Sequence, residues 1–345
     1  MIESFHKILV IQTAFLGDAI LTLPLVQILK KHFPDSTLDI VVTPHAAGLF
    51  ENHPAITRIV RYDKRGSDKG IRGFNLLKRA LREQHYDLAI IPHRSIRSAL
   101  LARFAHIPER VGFNSSGGKF LMTKLVRYRK DLHEIERNLS LLQGIGLENS
   151  GHILPTLYPS EKDKIAVSAF LVNVGDGAGK NLVAIAPGTI WNTKRWPKER
   201  FAEVARQLVR DRCVVALIGS SADRPLCEEI ASMAGGEGVL NSAGSLTLLQ
   251  SAELVPRCKV IISNDSAPMH MAVAVRTPVV AIFGATVPAF GFSPYGERDT
   301  VVETLDLSCR PCSIHGGERC PIKTFDCMLR IDSLQVLQKV RTYLE

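Results

Sequence analysis

KILVIQTAFLGDAILTLP, residues 7–24, is the stretch on which the fold turns. Between Lys7 and Lys30 its only charged residue is Asp18, so the run is apolar enough to resemble a membrane span. Asp18 at the centre of a span would cost about 2.5–3.5 kcal/mol, and Gly17 and Pro24 interrupt the pattern. A signal peptide needs a basic start and a small-residue cleavage site, whereas Glu3 stands near the start here. The run divides better into a strand, Lys7–Gln12, a turn at Leu16-Gly17-Asp18 and a helix, Leu21–His32. The chain is then expected to be soluble, unprocessed and cytoplasmic. A wholly apolar strand followed by a helix is the opening unit of a parallel sheet covered on both faces.

The unit repeats. Apolar runs at Ile8–Ile11, Leu38–Val42, Ile59–Tyr62, Leu88–Ile91 and Arg110–Phe113 are followed by a second series at Leu182–Ala186, Val214–Ile218, Val239–Asn241, Val260–Ile262 and Val279–Phe283. Helical patterns at Leu76–His85 and Glu199–Arg210 separate them. Two such series predict two doubly wound α/β domains, about what 345 residues accommodate. Gly151, Pro155 and Pro159 punctuate the segment between helices at Leu132–Ile145 and Lys162–Leu171. The expected domains are therefore 1–150 and 151–332, closed by an amphipathic helix in 333–345 that could dock on either domain. In such folds ligands bind beyond the carboxyl ends of the strands, so both sets are expected to face one interdomain cleft.

Composition narrows the partners. Hydrophobic residues are 46% and charged residues 22%, which is ordinary for a globular chain. The net charge is +9, of which residues 1–150 carry +8 and residues 58–97 carry +7. A basic face of this kind suits nucleic acid, an anionic membrane surface or a phosphorylated substrate, or it serves solubility alone. Aromatics at 6% argue against a stacking-rich single-strand binder, and no nucleic acid is expected as partner.

Familiar phosphate motifs fail. Gly175–Asn181 resembles a P-loop but has the wrong glycine spacing and no hydroxyl after Lys180. No G-x-G-x-x-G follows the first strand, and no Asp-x-Asp is present to hold a metal-bound sugar diphosphate. A diphosphate must then be neutralised by the protein. Three segments suit that role. Pro187-Gly188-Thr189 leads to Lys194-Arg195-Trp196-Pro197, with Pro197 expected at the first helical position. Gly219 and Asp223 form a strand-end turn with an acid placed for ribose hydroxyls. Asp265-Ser266-Ala267-Pro268-Met269-His270 opens a helix whose free N–H groups favour an anion. An acid at each helix start, Asp18 or Asp265, is also the commonest kind of N-cap.

With these segments the sequence resembles the lipopolysaccharide heptosyltransferases of glycosyltransferase family 9. The matching stretches are residues 7–24, 87–113, 133–146 (HEIERNLSLLQGIG), 187–201 (PGTIWNTKRWPKERF) and 263–295. The resemblance implies the GT-B architecture of two Rossmann-like domains, an ADP-heptose donor in the second domain and an inner-core acceptor in the first. It implies inverting transfer with no required cofactor, Asp18 as general base and Lys194 beside the leaving diphosphate. Thr189, Asp265, Ser266 and His270 match positions around the diphosphate, and Asp223 matches a ribose-binding acid. Ala267 departs from the family's usual glycine, which crowds the phosphate slightly. Thr13 matches a position near the acceptor, and His93, Arg94, Ser95 and Arg97 are the remaining acceptor candidates. A different acceptor, such as Kdo, another glycan or a protein, stays open within the family. So does a non-catalytic sugar-nucleotide-binding protein of the same fold. The acceptor, carrying acidic sugars and phosphates, would place the protein at the inner membrane surface.

All seven cysteines follow residue 212. Cys309, Cys312, Cys320 and Cys327 are spaced nearly as a zinc or iron site, with disulfides and free thiols as alternatives. Related protein-heptosylating enzymes hold iron with four cysteines. Cys213, Cys227 and Cys258 read as core residues. The oligomeric state leaves no mark on the sequence.

Overall fold

The computed structural model describes residues 4–148, 151–172 and 180–345. The glycine-rich stretch 175–179 therefore lies outside the described residues. The chain divides into two units, Met1–Tyr158 and Pro159–Glu345. The division falls inside the punctuated segment, and residues 151–158 go with the first unit: Gln27 donates to the Leu154 carbonyl at 3.3 Å and Asn52 to that of Tyr158.

The first unit is built on strands β1 (Lys7–Gln12), β2 (Thr37–Val42), β3 (Arg58–Arg61), β4 (Leu88–Ile91), β5 (Glu109–Phe113) and β6 (Lys124–Val126). Its helices are α1 (Leu16–Leu21), α2 (Leu23–His32), α3 (Pro44–Ala47), α4 (Gly70–Arg82), α5 (Ile96–Phe104) and α6 (Glu134–Ser140). All strand pairs are parallel, in the order β3-β2-β1-β4-β5-β6. Ile8 to Ile11 are wholly buried, because the central strand is covered on both faces.

The second unit repeats the plan. Its strands are β7 (Leu182–Ala186), β8 (Val214–Leu217), β9 (Val239–Asn241), β10 (Val260–Asn264), β11 (Val279–Phe283) and β12 (Thr300–Glu303). Their order, β12-β11-β10-β7-β8-β9, is the same winding as in the first sheet, and all pairs are parallel. The helices are α7 (Glu161–Val172), α8 (Lys198–Arg210), α9 (Arg224–Ala234), α10 (Leu248–Leu254), α11 (Ala267–Ala274), α12 (Asp326–Leu329) and α13 (Ser333–Arg341). The closing helix α13 docks on this unit, burying Val336, Leu337 and Val340 in its core.

The expected α/β class is thus found twice over, with differences of detail. The edge strands β6 and β12 escaped the sequence reading because they are short and partly exposed, so they form no continuous apolar run. The helix expected over Leu21–His32 begins at Leu23, with Pro24 in its first turn, and the stretch expected as a turn at Leu16-Gly17-Asp18 opens a short helix of its own, Leu16–Leu21. The helix expected to begin at Leu76 starts six residues earlier, at Gly70. Pro197 sits one position before α8 rather than inside it. No helix among the described residues is long and apolar enough to cross a membrane.

Candidate functional site

In each sheet the winding reverses direction between the first and fourth strands, which opens a crevice at their carboxyl ends. The candidate residues collect at these two places.

In the first unit, β1 ends at Gln12 and β4 at Ile91. Just beyond them the Thr13 N–H donates to His93 Nδ1 at 3.4 Å, and the Ser98 hydroxyl lies 3.1 Å from His93 Nε2. Burial, with the nearby Lys64 charge, lowers the His93 pKa to about 4, so its ring is neutral at pH 7. Lys64 donates to the Thr13 carbonyl at 2.6 Å and to its hydroxyl at 3.2 Å. Burial and the cations Arg65 and Arg97 lower the Lys64 pKa. The Arg97 guanidinium is engaged by the Tyr62 hydroxyl at 2.5 Å and the Gly70 carbonyl at 3.0 Å. Ser95 precedes α5 and makes no side-chain cap.

Asp18 is the third residue of α1, and its carboxylate accepts from the Phe15 N–H at 3.1 Å. It caps the helix from inside rather than from the N-cap position. Its charge is felt by Glu134 at the start of α6, where burial and then Asp18 push the Glu134 pKa up to about 7. Glu134 pairs with the buried Arg137 at 2.9 Å, and both contact the Tyr128 hydroxyl. Arg94 lies over the Tyr128 ring, 4.7 Å from its centre. Asp18 and Arg94 thus flank one buried network.

In the second unit the crevice lies between β7 and β10. Lys194, in a 3-10 turn at Asn192–Lys194, pairs with Asp265 at 2.7 Å, and both side chains are nearly buried. The Thr286 hydroxyl donates to the same carboxylate oxygen at 2.6 Å. Asp265 therefore caps nothing; Ser266 is the N-cap of α11, which Ala267 begins, with His270 buried in its first turn. The loop carrying Lys194 is anchored by the wholly buried Trp196, whose backbone N–H donates to Asn264 Oδ1 at 3.0 Å while its indole donates to the Ile331 carbonyl. Asn264 also donates to the Pro187 carbonyl at 2.9 Å, which ties the ends of β7 and β10 together.

Asp223 accepts the Ser220 N–H at 2.9 Å and its hydroxyl at 2.6 Å on one oxygen. Its other oxygen faces Gly188, where an added Cβ would stand 2.2 Å away. Only glycine permits that approach. Thr189 contributes its carbonyl to the Arg195 guanidinium at 2.8 Å. Among the described residues Arg195 Nε is buried with no hydrogen-bond partner, a donor left available to a ligand.

The cysteine segment abuts this site: Gly317 donates to the Thr193 hydroxyl at 2.8 Å. Cys327 is buried, Cys309 and Cys320 are half-buried, and Cys312 is exposed. All seven cysteines are free thiols, which removes the disulfide alternative. Burial and the neighbouring Cys312, Cys320 and Cys309 raise the Cys327 thiol to about 11, so it is protonated at neutral pH. Among the described residues no three of His, Cys, Asp or Glu are arranged to hold a metal ion. Cys213, Cys227 and Cys258 are buried core residues, as expected.

Lys64, Glu134, Arg137 and Thr286 were not singled out in the sequence, and Arg195 only as one cation of the Lys194–Pro197 run. Lys64 lies within the basic run 58–97, and Glu134 and Arg137 within the matching stretch 133–146, so signals existed for these three. Thr286 gave none.

The family model of Glycosyltransferase family 9 (heptosyltransferase) matches residues 75–319. Lipopolysaccharide heptosyltransferase 2 of Salmonella typhimurium is 30% identical over 296 residues, covering 82% of this chain and 84% of that protein. A family 9 glycosyl transferase from Veillonella parvula superposes with a TM-score of 0.86 at 26% identity, over 100% of this chain and 98% of that one. The E. coli ADP-heptose lipopolysaccharide heptosyltransferase II gives 0.81 at 26% identity, over 98% of both chains. With a match across most of the sequence, and two like-wound parallel sheets, the chain belongs to glycosyltransferase family 9 and is a glycosyltransferase.

Proposed function

We propose that the chain transfers a heptose from ADP-heptose to the inner core of lipopolysaccharide, with inversion at the anomeric carbon. The observation that carries this is the Lys194 ammonium, fixed by Asp265 beside the start of α11 at the β7–β10 crevice. A leaving diphosphate gathers negative charge as the glycosidic bond breaks, and a preorganised cation beside helix N–H groups offsets it. Asp265 then serves as the group that places Lys194, since a bare carboxylate against a diphosphate would repel it. Ser266, Ala267, His270, Thr189 and Arg195 lie in the same neighbourhood, and Asp223 is disposed to accept a ribose hydroxyl on the oxygen facing Gly188.

The first unit supplies the acceptor end. The Asp18 carboxylate takes the proton of the acceptor hydroxyl while that hydroxyl's oxygen bonds to the anomeric carbon and the bond from that carbon to the phosphate oxygen breaks, releasing ADP. Lys64, Thr13, His93, Ser95, Arg94 and Arg97 form a basic margin suited to an acceptor bearing carboxylates and phosphates. Transfer requires both units to serve one substrate, and the domains assigned to acceptor and donor follow from that. The scheme calls for no metal. The relatives' names support heptose and lipopolysaccharide as the substrates. A lipid-borne acceptor made inside the cell would place the enzyme in the cytoplasm, at the inner face of the inner membrane.

The test is incubation with a panel of nucleotide sugars and defined truncated core acceptors, read by mass spectrometry. A heptose mass added only with ADP-heptose and an inner-core acceptor is expected. Transfer to Kdo alone, to another glycan or to a protein would replace the acceptor; binding of the donor without any product would replace the enzyme with a binding protein.

A further inference from the structure

Helix α4 (Gly70–Arg82) carries no acidic residue. It seats one face on the first unit through Gly73, Leu77 and Leu81, spaced four apart. The opposite face presents Arg72, Arg79 and Arg82, and none of these forms an ion pair among the described residues. At 100° per residue, two aliphatic side chains border this cationic face, one on each side: Ile71 is 80% exposed and Leu76 59% exposed. Phe104 of α5, 46% exposed, packs edge-on against Phe74 of α4 at 6.5 Å and extends the apolar border. Arg65 and Lys69, both exposed, precede the helix.

From this juxtaposition we infer that α4 is a docking surface for an anionic phospholipid bilayer. Ile71 and Leu76 enter the headgroup boundary, and the arginines between them meet lipid phosphates. A lipid surface is favoured over another polyanion because phosphates alone would not recruit the two aliphatics, whereas a helix lying in a membrane interface uses both. The inference extends the proposed lipid-borne acceptor but is tested without it.

The experiment is co-sedimentation of the full chain with vesicles of phosphatidylcholine containing about one part in three phosphatidylglycerol, at about 0.1 M salt. Wild-type protein is expected to bind these at least about tenfold more tightly than vesicles of phosphatidylcholine alone. Ile71→Ser/Leu76→Ser and Arg72→Glu/Arg79→Glu should each weaken binding about tenfold or more, with unfolding midpoints unchanged because these side chains face solvent. Glycosyl transfer to a soluble truncated acceptor should persist in both variants, so loss of vesicle binding is read independently of the transferase reading. Failure of the wild type to bind, or binding by both variants equal to wild type, overturns the inference. Loss of RNA-duplex binding in the arginine variant with vesicle binding unaltered also overturns it, in favour of a nucleic-acid face.

Discussion

Lys194 Nζ stands 2.7 Å from Asp265 Oδ2, and the two residues come from the loop after β7 and the end of β10, 71 positions apart in sequence. The pair is nearly buried, so each partner is costly to leave alone. Lys194→Met should destabilise the second unit by about 3–5 kcal/mol by stranding Asp265, and Lys194→Met/Asp265→Leu should recover most of that loss. Turnover should stay lost in the double variant. Chemical denaturation beside a kinetic assay separates the two: recovery of both stability and turnover would make the pair merely structural.

Glu134 offers a pH test. Its folded pKa of about 7 lies above the ordinary carboxyl value, chiefly through burial and next through the Asp18 charge. The folded state therefore binds more protons than the unfolded chain across pH 4.5 to 7, and this residue's contribution to stability falls as pH rises through that window. Glu134→Gln should remove the fall, on the order of 1–3 kcal/mol by pH 7.5 relative to pH 4.5. Denaturation midpoints of both proteins against pH give the answer; parallel curves would refute it.

His93 has the opposite sign. Its folded pKa of about 4 lies below its ordinary value, so the unfolded chain binds more protons between about pH 4 and 6.5. Stability from this residue is complete above pH 6.5 and is lost as pH falls toward 4. His93→Gln should flatten that acid limb. His53 titrates in the same direction, also through burial, so the difference between wild type and variant, not the wild-type curve, is the readout.

Asp223→Ala should raise the donor KM about tenfold with kcat nearly unchanged, since a ribose contact is the same in ground and transition states. Gly188→Ala should produce a similar defect, because its Cβ would displace the Asp223 carboxylate. A kcat loss without a KM change in either variant would place Asp223 at the reacting centre instead.

Much of the architecture was readable because buried parallel strands are continuous apolar runs. Ile8–Ile11 and Val279–Phe283 announce themselves, while the half-exposed β6 and β12 do not. Residue types with a fixed chemistry, Asp18 and Lys194, could be singled out by their place after strands. Their partners could not. Thr286 reaches Asp265 from 21 residues away, and Lys64 reaches Thr13 from 51; nothing local predicts either meeting. The cysteine quartet is a different case: its spacing allowed a metal site, disulfides or free thiols, and spacing alone does not choose among them.

The most direct measurement is the anomeric configuration of the product, by NMR, from wild type and from Asp18→Asn under single-turnover conditions. Wild type should yield a heptoside inverted relative to the donor, and Asp18→Asn should bind ADP-heptose normally while turning over roughly a hundredfold to ten-thousandfold more slowly. Retained configuration, or an Asp18→Asn rate equal to wild type, would contradict a general-base carboxylate at Asp18 and a leaving group stabilised by Lys194.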